Sequence, residues 1–104
     1  MAETPAQIID RLLTVDLKMW NNQEMLYAIR RMSFEEFLER YEGRAGMEDL
    51  YKCLKKACDL NVQRNMLMEA TDLRLIEMVR TVAMGADNEA LEAAGFIQTS
   101  HKTY

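Results

Sequence analysis

The sequence predicts an all-α fold: a helical hairpin with a short connecting helix, completing a four-helix bundle by dimerisation. Three observations predict it. The only proline is Pro5 and the four glycines stand at 43, 46, 85 and 95, so helix breakers fall at joints and leave long intervals untouched. The stretch from Met47 to Met84 has no Gly or Pro and is rich in Leu, Met, Ala, Lys, Arg and Glu, which are strong helix formers. No segment sustains the apolar/polar alternation of a half-buried strand, and β-branched residues are scattered.

Each element has its own start signal. Thr4-Pro5-Ala6-Gln7 combines an N-cap threonine, a proline at the first helical position and a glutamine closing a capping box, predicting a helix over 5–31. Ser33-Phe34-Glu35-Glu36 is a second capping box, with Glu36 reaching back to Ser33, and opens a short helix over 34–42. The uninterrupted stretch predicts one long helix over 47–84. After Gly85, Asp87 caps a last short helix over 88–94. Residues 1–95 then form a single helical domain, and 96–104 an extended or mobile tail.

Length bears on assembly. At 1.5 Å per residue the long helix spans roughly 55 Å and the first about 40 Å, against a radius of gyration of about 13 Å for a compact 100-residue domain. Either the long helix bends near Asp59-Leu60-Asn61, or a second copy covers it; the homodimer is the preferred expectation.

Composition narrows the function classes. With 49% hydrophobic residues the chain is too apolar for intrinsic disorder, no apolar run approaches the roughly 20 residues of a membrane span, and Met1-Ala-Glu-Thr-Pro lacks the marks of a signal peptide. A cytoplasmic protein is expected, without a membrane partner. The net charge of −4 repels phosphate backbones, so nucleic acid is not an expected partner, and Lys52, Lys55 and Lys56 are read as a solvated helix face. Cys53 and Cys58, about 140° apart on a helix, suit neither a disulfide nor a zinc site and are read as buried or half-buried thiols. The nine methionines, including Met66, Met68, Met78 and Met84, are read as core filling or a dimer seam, with a docking surface for a protein partner as the alternative.

The candidate site lies along the helices. Steps of three and four on the long helix give Met47, Leu50, Leu54, Ala57, Asn61, Asn65, Met68, Asp72, Leu75, Val79 and Val82, a stripe with apolar ends and a polar middle. Glu69 lies one turn beyond Asn65. On the first helix Ile9, Leu12 and Leu13 give way to Asp16, Trp20, Gln23 and Tyr27. Antiparallel packing would bring the polar centres together, where they set the register by hydrogen bonding, stay in water, or form a polar pocket or cation site. The only histidine, His101, stands in the tail, so no Glu-x-x-His pair is present on the helices, and no Ser/His/Asp, Cys/His or glycine-loop signature occurs.

Two resemblances add to this reading. Glu35-Glu36-Phe37-Leu38-Glu39 is an EExxE and Glu69-Ala70-Thr71-Asp72 an ExxD. Together they look like the magnesium layout of MazG-like all-α nucleotide pyrophosphohydrolases. That resemblance implies Mg²⁺ held by Glu36, Glu39, Glu69 and Asp72 and a triphosphate substrate. Leu60-Asn61-Val62-Gln63-Arg64-Asn65-Met66-Leu67-Met68-Glu69-Ala70-Thr71-Asp72 is similar to the LNxxRNxLIExID helix of a bacterial all-helical domain of unknown function. Trp20-Asn21-Asn22-Gln23-Glu24 echoes that group's tryptophan-polar-acidic cluster, with Asn21 at its usual His position. The resemblance directs attention to Trp20, Gln23, Glu24, Asn61, Arg64, Asn65, Glu69 and Asp72, beside Asp16 from the polar stripe. The preferred functional expectation is a helical interaction or regulatory module without a cofactor. A Mg²⁺-dependent nucleotide phosphohydrolase or other polar-ligand bundle is the alternative.

Overall fold

In the computed structural model, which describes residues 3–98, four helices follow one another: α1 (Pro5–Arg31), α2 (Phe34–Arg40), α3 (Gly43–Ala83) and α4 (Asn88–Ala93). No strand occurs among the described residues, and α1 and α3 form a helical hairpin. The N-caps form at the expected residues. Thr4 N–H donates to Gln7 Oε1 at 2.9 Å while Gln7 N–H donates to Thr4 Oγ1 at 3.2 Å, a reciprocal box. Ser33 Oγ accepts from Glu36 N–H at 3.1 Å, and Asp87 Oδ1 from Ala90 N–H at 2.9 Å.

Helix α2 ends at Arg40 instead of Glu42, α3 and α4 each end one residue earlier than expected, and the start of α3 departs most. Helix α3 begins at Gly43 instead of Met47, and it runs through Asp59-Leu60-Asn61 without a break. Gly43 turns the chain at φ +72°, and Gly46 lies inside the helix because its missing side chain lets Tyr41 backbone approach. The ordered chain also continues past position 95. Gly85 and Gly95 each end a helix at positive φ with the paired bonds of a Schellman motif: Ala86 N–H to Thr81 O with Gly85 N–H to Val82 O, and Phe96 N–H to Leu91 O with Gly95 N–H to Glu92 O. Phe96 is thereby buried together with Leu91 and does not belong to an extended tail; residues 99–104 lie outside the described part.

The helices pack in two compact units. Thr14–Arg64 makes one of them. Its least exposed residues recur at steps of four and three: Val15, Met19, Asn22, Leu26 and Ile29 on α1, and Gly46, Leu50, Cys53, Ala57, Leu60 and Arg64 on α3. This is the 3.5-residue repeat of helices packed side by side. Tyr41 closes the corner after α2, with its ring 5.1 Å from Phe37 and the Arg40 guanidinium 4.9 Å above it. Cys53 is buried in the seam whereas Cys58 is exposed, since five residues turn it off the packed stripe.

The other unit takes residues 3–13 and 65–98. Ile8 and Leu12 from α1 and Leu67, Thr71, Arg74 and Met78 from α3 continue the same repeat, and α4 contributes Leu91. Its fixed point is Arg74, whose side chain is 12% exposed. The guanidinium donates to Glu3 O at 3.0 Å, to Ala94 O at 2.8 Å and to Glu77 Oε2 at 2.8 Å, and lies 4.0 Å from the centre of the Phe96 ring. One side chain therefore ties the start of α1 and the end of α4 to α3. Nearby, Arg11 forms an ion pair with Glu3.

Candidate interaction surface

The structure divides the sequence-predicted site. Within Thr14–Arg64 it joins Asp16 and Arg64, with Nε to Oδ1 at 3.1 Å and both side chains half-exposed. A half-exposed ion pair contributes about 0.2–1 kcal/mol. A double-mutant cycle with Asp16→Asn and Arg64→Gln should return a coupling in that range, and about 2 kcal/mol or more would show a stronger role than this geometry supports. In the same unit Gln23 is half-buried, while Glu24, Asn61 and Trp20, the last 67% exposed, face outward. Asn65, Glu69 and Asp72 belong to the other unit and are exposed.

The expected seam of α3 is thus corrected by one residue over most of its length. Leu50 and Ala57 pack as read, but Met47, Leu54, Asn61, Asn65, Met68, Asp72, Leu75, Val79 and Val82 all fall one position beyond a seam residue, and all are exposed. The seam instead alternates small residues, Gly46, Cys53 and Ala57, with Leu50, Leu60 and Leu67. It also takes Arg64 and Arg74, whose aliphatic stems pack while their heads reach polar partners.

Of the acidic residues proposed for Mg²⁺, Glu36 and Glu39 are exposed on α2 in one unit, where the Glu36 backbone serves the Ser33 cap. Glu69 and Asp72 stand on α3 in the other. Among the described residues no three His, Cys, Asp or Glu side chains gather in reach of one metal ion.

What the shift leaves in the open is a second stripe, one residue beyond the seam on both helices. In Thr14–Arg64 it comprises Trp20 and Tyr27 on α1 with Met47, Tyr51 and Leu54 on α3; in the other unit it comprises Ile9 and Leu13 on α1 with Met68, Leu75, Val79 and Val82 on α3. In an antiparallel pair, a step of one residue from the seam turns both helices toward the same side, so within each unit the two stripes form one face. At about 200 Å² per aromatic and about 120 Å² per aliphatic side chain, the exposed fractions of these residues come to roughly 480 Å² of apolar surface in Thr14–Arg64 and roughly 350 Å² in the other unit. The methionines divide accordingly: Met78 is half-buried, and Met66, Met68 and Met84 are exposed. Among the described residues no helix is long and apolar enough to cross a membrane.

The other side of Thr14–Arg64 is basic. Lys18, Lys52 and Lys56 each precede a seam residue and, with Lys55, line an open cleft of about 530 Å³ that also includes Asp59, Leu60 and Gln63. A smaller groove of about 320 Å³, lined in part by Arg40, Asn22 and Asp49, shares Lys52 and Lys56. No sequence signal marked Lys18 as a neighbour of the other three, because the chain separates them by more than thirty residues.

Compared with known protein families, with curated proteins and with solved structures, the chain matches none.

Proposed function

We propose that this protein is a helical interaction module that works as a homodimer, two hairpins joining through their second stripes into a four-helix bundle. The observation that carries the reading is the repeat itself. A second stripe with the same four-and-three spacing as the packed seam lies one residue beyond it on both helices, exposed and apolar at Trp20, Tyr27, Met47, Tyr51 and Leu54 within Thr14–Arg64 and polar between them at Asp16, Gln23 and Asn61. Its spacing calls for a helical occupant. A second copy supplies two helices carrying the same stripe, and a two-fold interface is self-complementary by construction.

Light scattering on the purified chain at tens of micromolar should return about twice the 12.1 kDa of one chain. Leu54→Glu places a charge within the proposed interface while leaving the seam alone. It should weaken association at least about 100-fold, with helix content by circular dichroism unchanged. A wild-type protein that stays at 12.1 kDa, or a Leu54→Glu protein that still pairs, overturns the reading.

A further inference from the structure

Lys18, Lys52 and Lys56, which line the basic cleft, step back from the seam where the apolar stripe steps forward, whereas Lys55 reaches toward Tyr51 of that stripe. Four lysines meet one carboxylate there, a local formal charge of +3 in a chain whose net charge is −4. None of the four ammonium groups lies within salt-bridge distance of a carboxylate among the described residues; Lys55 only approaches the Tyr51 ring, at 6.0 Å. Lys52, Lys55 and Lys56 occupy i, i+3 and i+4 of one helix, and Lys18 lines the same cleft from the other, so four like charges converge around the single carboxylate of Asp59.

We propose that this cleft binds a linear oligophosphate, either the phosphate chain of a nucleotide or the inorganic chain itself. The volume is that of a small-molecule site. A nucleoside di- or triphosphate concentrates three to four negative charges in a few bonds, whereas an extended acidic peptide presents same-side carboxylates about 7 Å apart. Lysine suits such a ligand, as a compact charge with three donors that reorient toward phosphate oxygens.

Titration calorimetry on the full chain, at matched ionic strength, tests this with inorganic tripolyphosphate, ATP and sulfate. Tripolyphosphate or ATP should bind at least tenfold more tightly than sulfate. ATP tenfold above tripolyphosphate identifies a nucleotide as the source, and the reverse order identifies the inorganic chain. Lys52→Gln with Lys56→Gln should weaken binding at least tenfold, as should Lys18→Gln from the facing helix. Arg80→Gln, the same single charge change as Lys18→Gln but outside the cleft, should leave it unaltered. Sulfate binding as tightly as both phosphates, lysine variants that bind like wild type, or an Arg80→Gln loss equal to theirs overturns the proposal.

Discussion

Replacing Arg74 with alanine should lower the stability of the chain by about 3–4 kcal/mol. Hydrogen bonds to a charged group are worth about 1.5–3 kcal/mol each, and Arg74 makes three, two of them to the backbone oxygens of Glu3 and Ala94. The truncation also removes the guanidinium from the Phe96 ring and leaves the space of a nearly buried side chain unfilled. At about 4–8 °C per kcal/mol for a domain of this size, the melting midpoint should fall by at least about 12 °C. Amide exchange at Leu91 and Phe96 should accelerate first, because α4 and its Schellman turn lose their tie to α3. Arg74→Lys should recover less than half of the loss, since an ammonium lacks the planar fork that reaches three acceptors in different directions. A fall of less than about 1 kcal/mol in urea or thermal unfolding would show that the guanidinium is not the fixed point of its unit.

Gly46→Ala should be destabilising by at least about 2 kcal/mol, opposite in sign to helix propensity. In an exposed helix interior, alanine is better than glycine by about 1 kcal/mol. At position 46, however, an added Cβ would stand 2.5 Å from the Tyr41 carbonyl carbon, 2.7 Å from its Cα and 2.8 Å from its oxygen. These are backbone atoms, which cannot rotate aside, so the corner between α2 and α3 must open and release the buried Tyr41. Gly43→Ala has a different cause and a smaller effect. Nothing lies within 4 Å of its added Cβ, and only its φ of +72° opposes a side chain, at about 1–2 kcal/mol. Urea unfolding of both variants checks the order; a neutral or stabilising Gly46→Ala would mean that the corner yields.

The site was legible only in part, and the reason lies in what a hydrophobic period measures. Along α3 two adjacent stripes share the four-and-three spacing. Ranked by size and hydrophobicity, Met47, Leu54, Met68, Leu75 and Val82 outweigh Gly46, Cys53, Ala57, Arg64 and Arg74, so the sequence directs attention to the outer stripe. Packing obeys a different criterion. Small residues let two helices come close, and arginine stems cover apolar surface when the heads have partners such as Asp16, Glu3 and Ala94. Asp16 and Arg64 both stand out in the sequence, but their pairing requires the register. Phe96 has no period of its own and comes after a helix of only six residues, so local signals place it in the tail. Its order comes from the Gly95 turn and from Arg74, which stands 22 positions earlier in the chain (96 − 74).

By itself the sequence determined the all-helical class, the caps at Thr4, Ser33 and Asp87, and the approximate extent of each helix, because those depend on contacts within a few residues along the chain. Only the tertiary structure decided which of two equivalent-looking stripes is covered, where Arg74 anchors, and which lysines share a cleft. Those depend on how closely two helix surfaces can approach, a quantity set jointly by residues far apart in the chain.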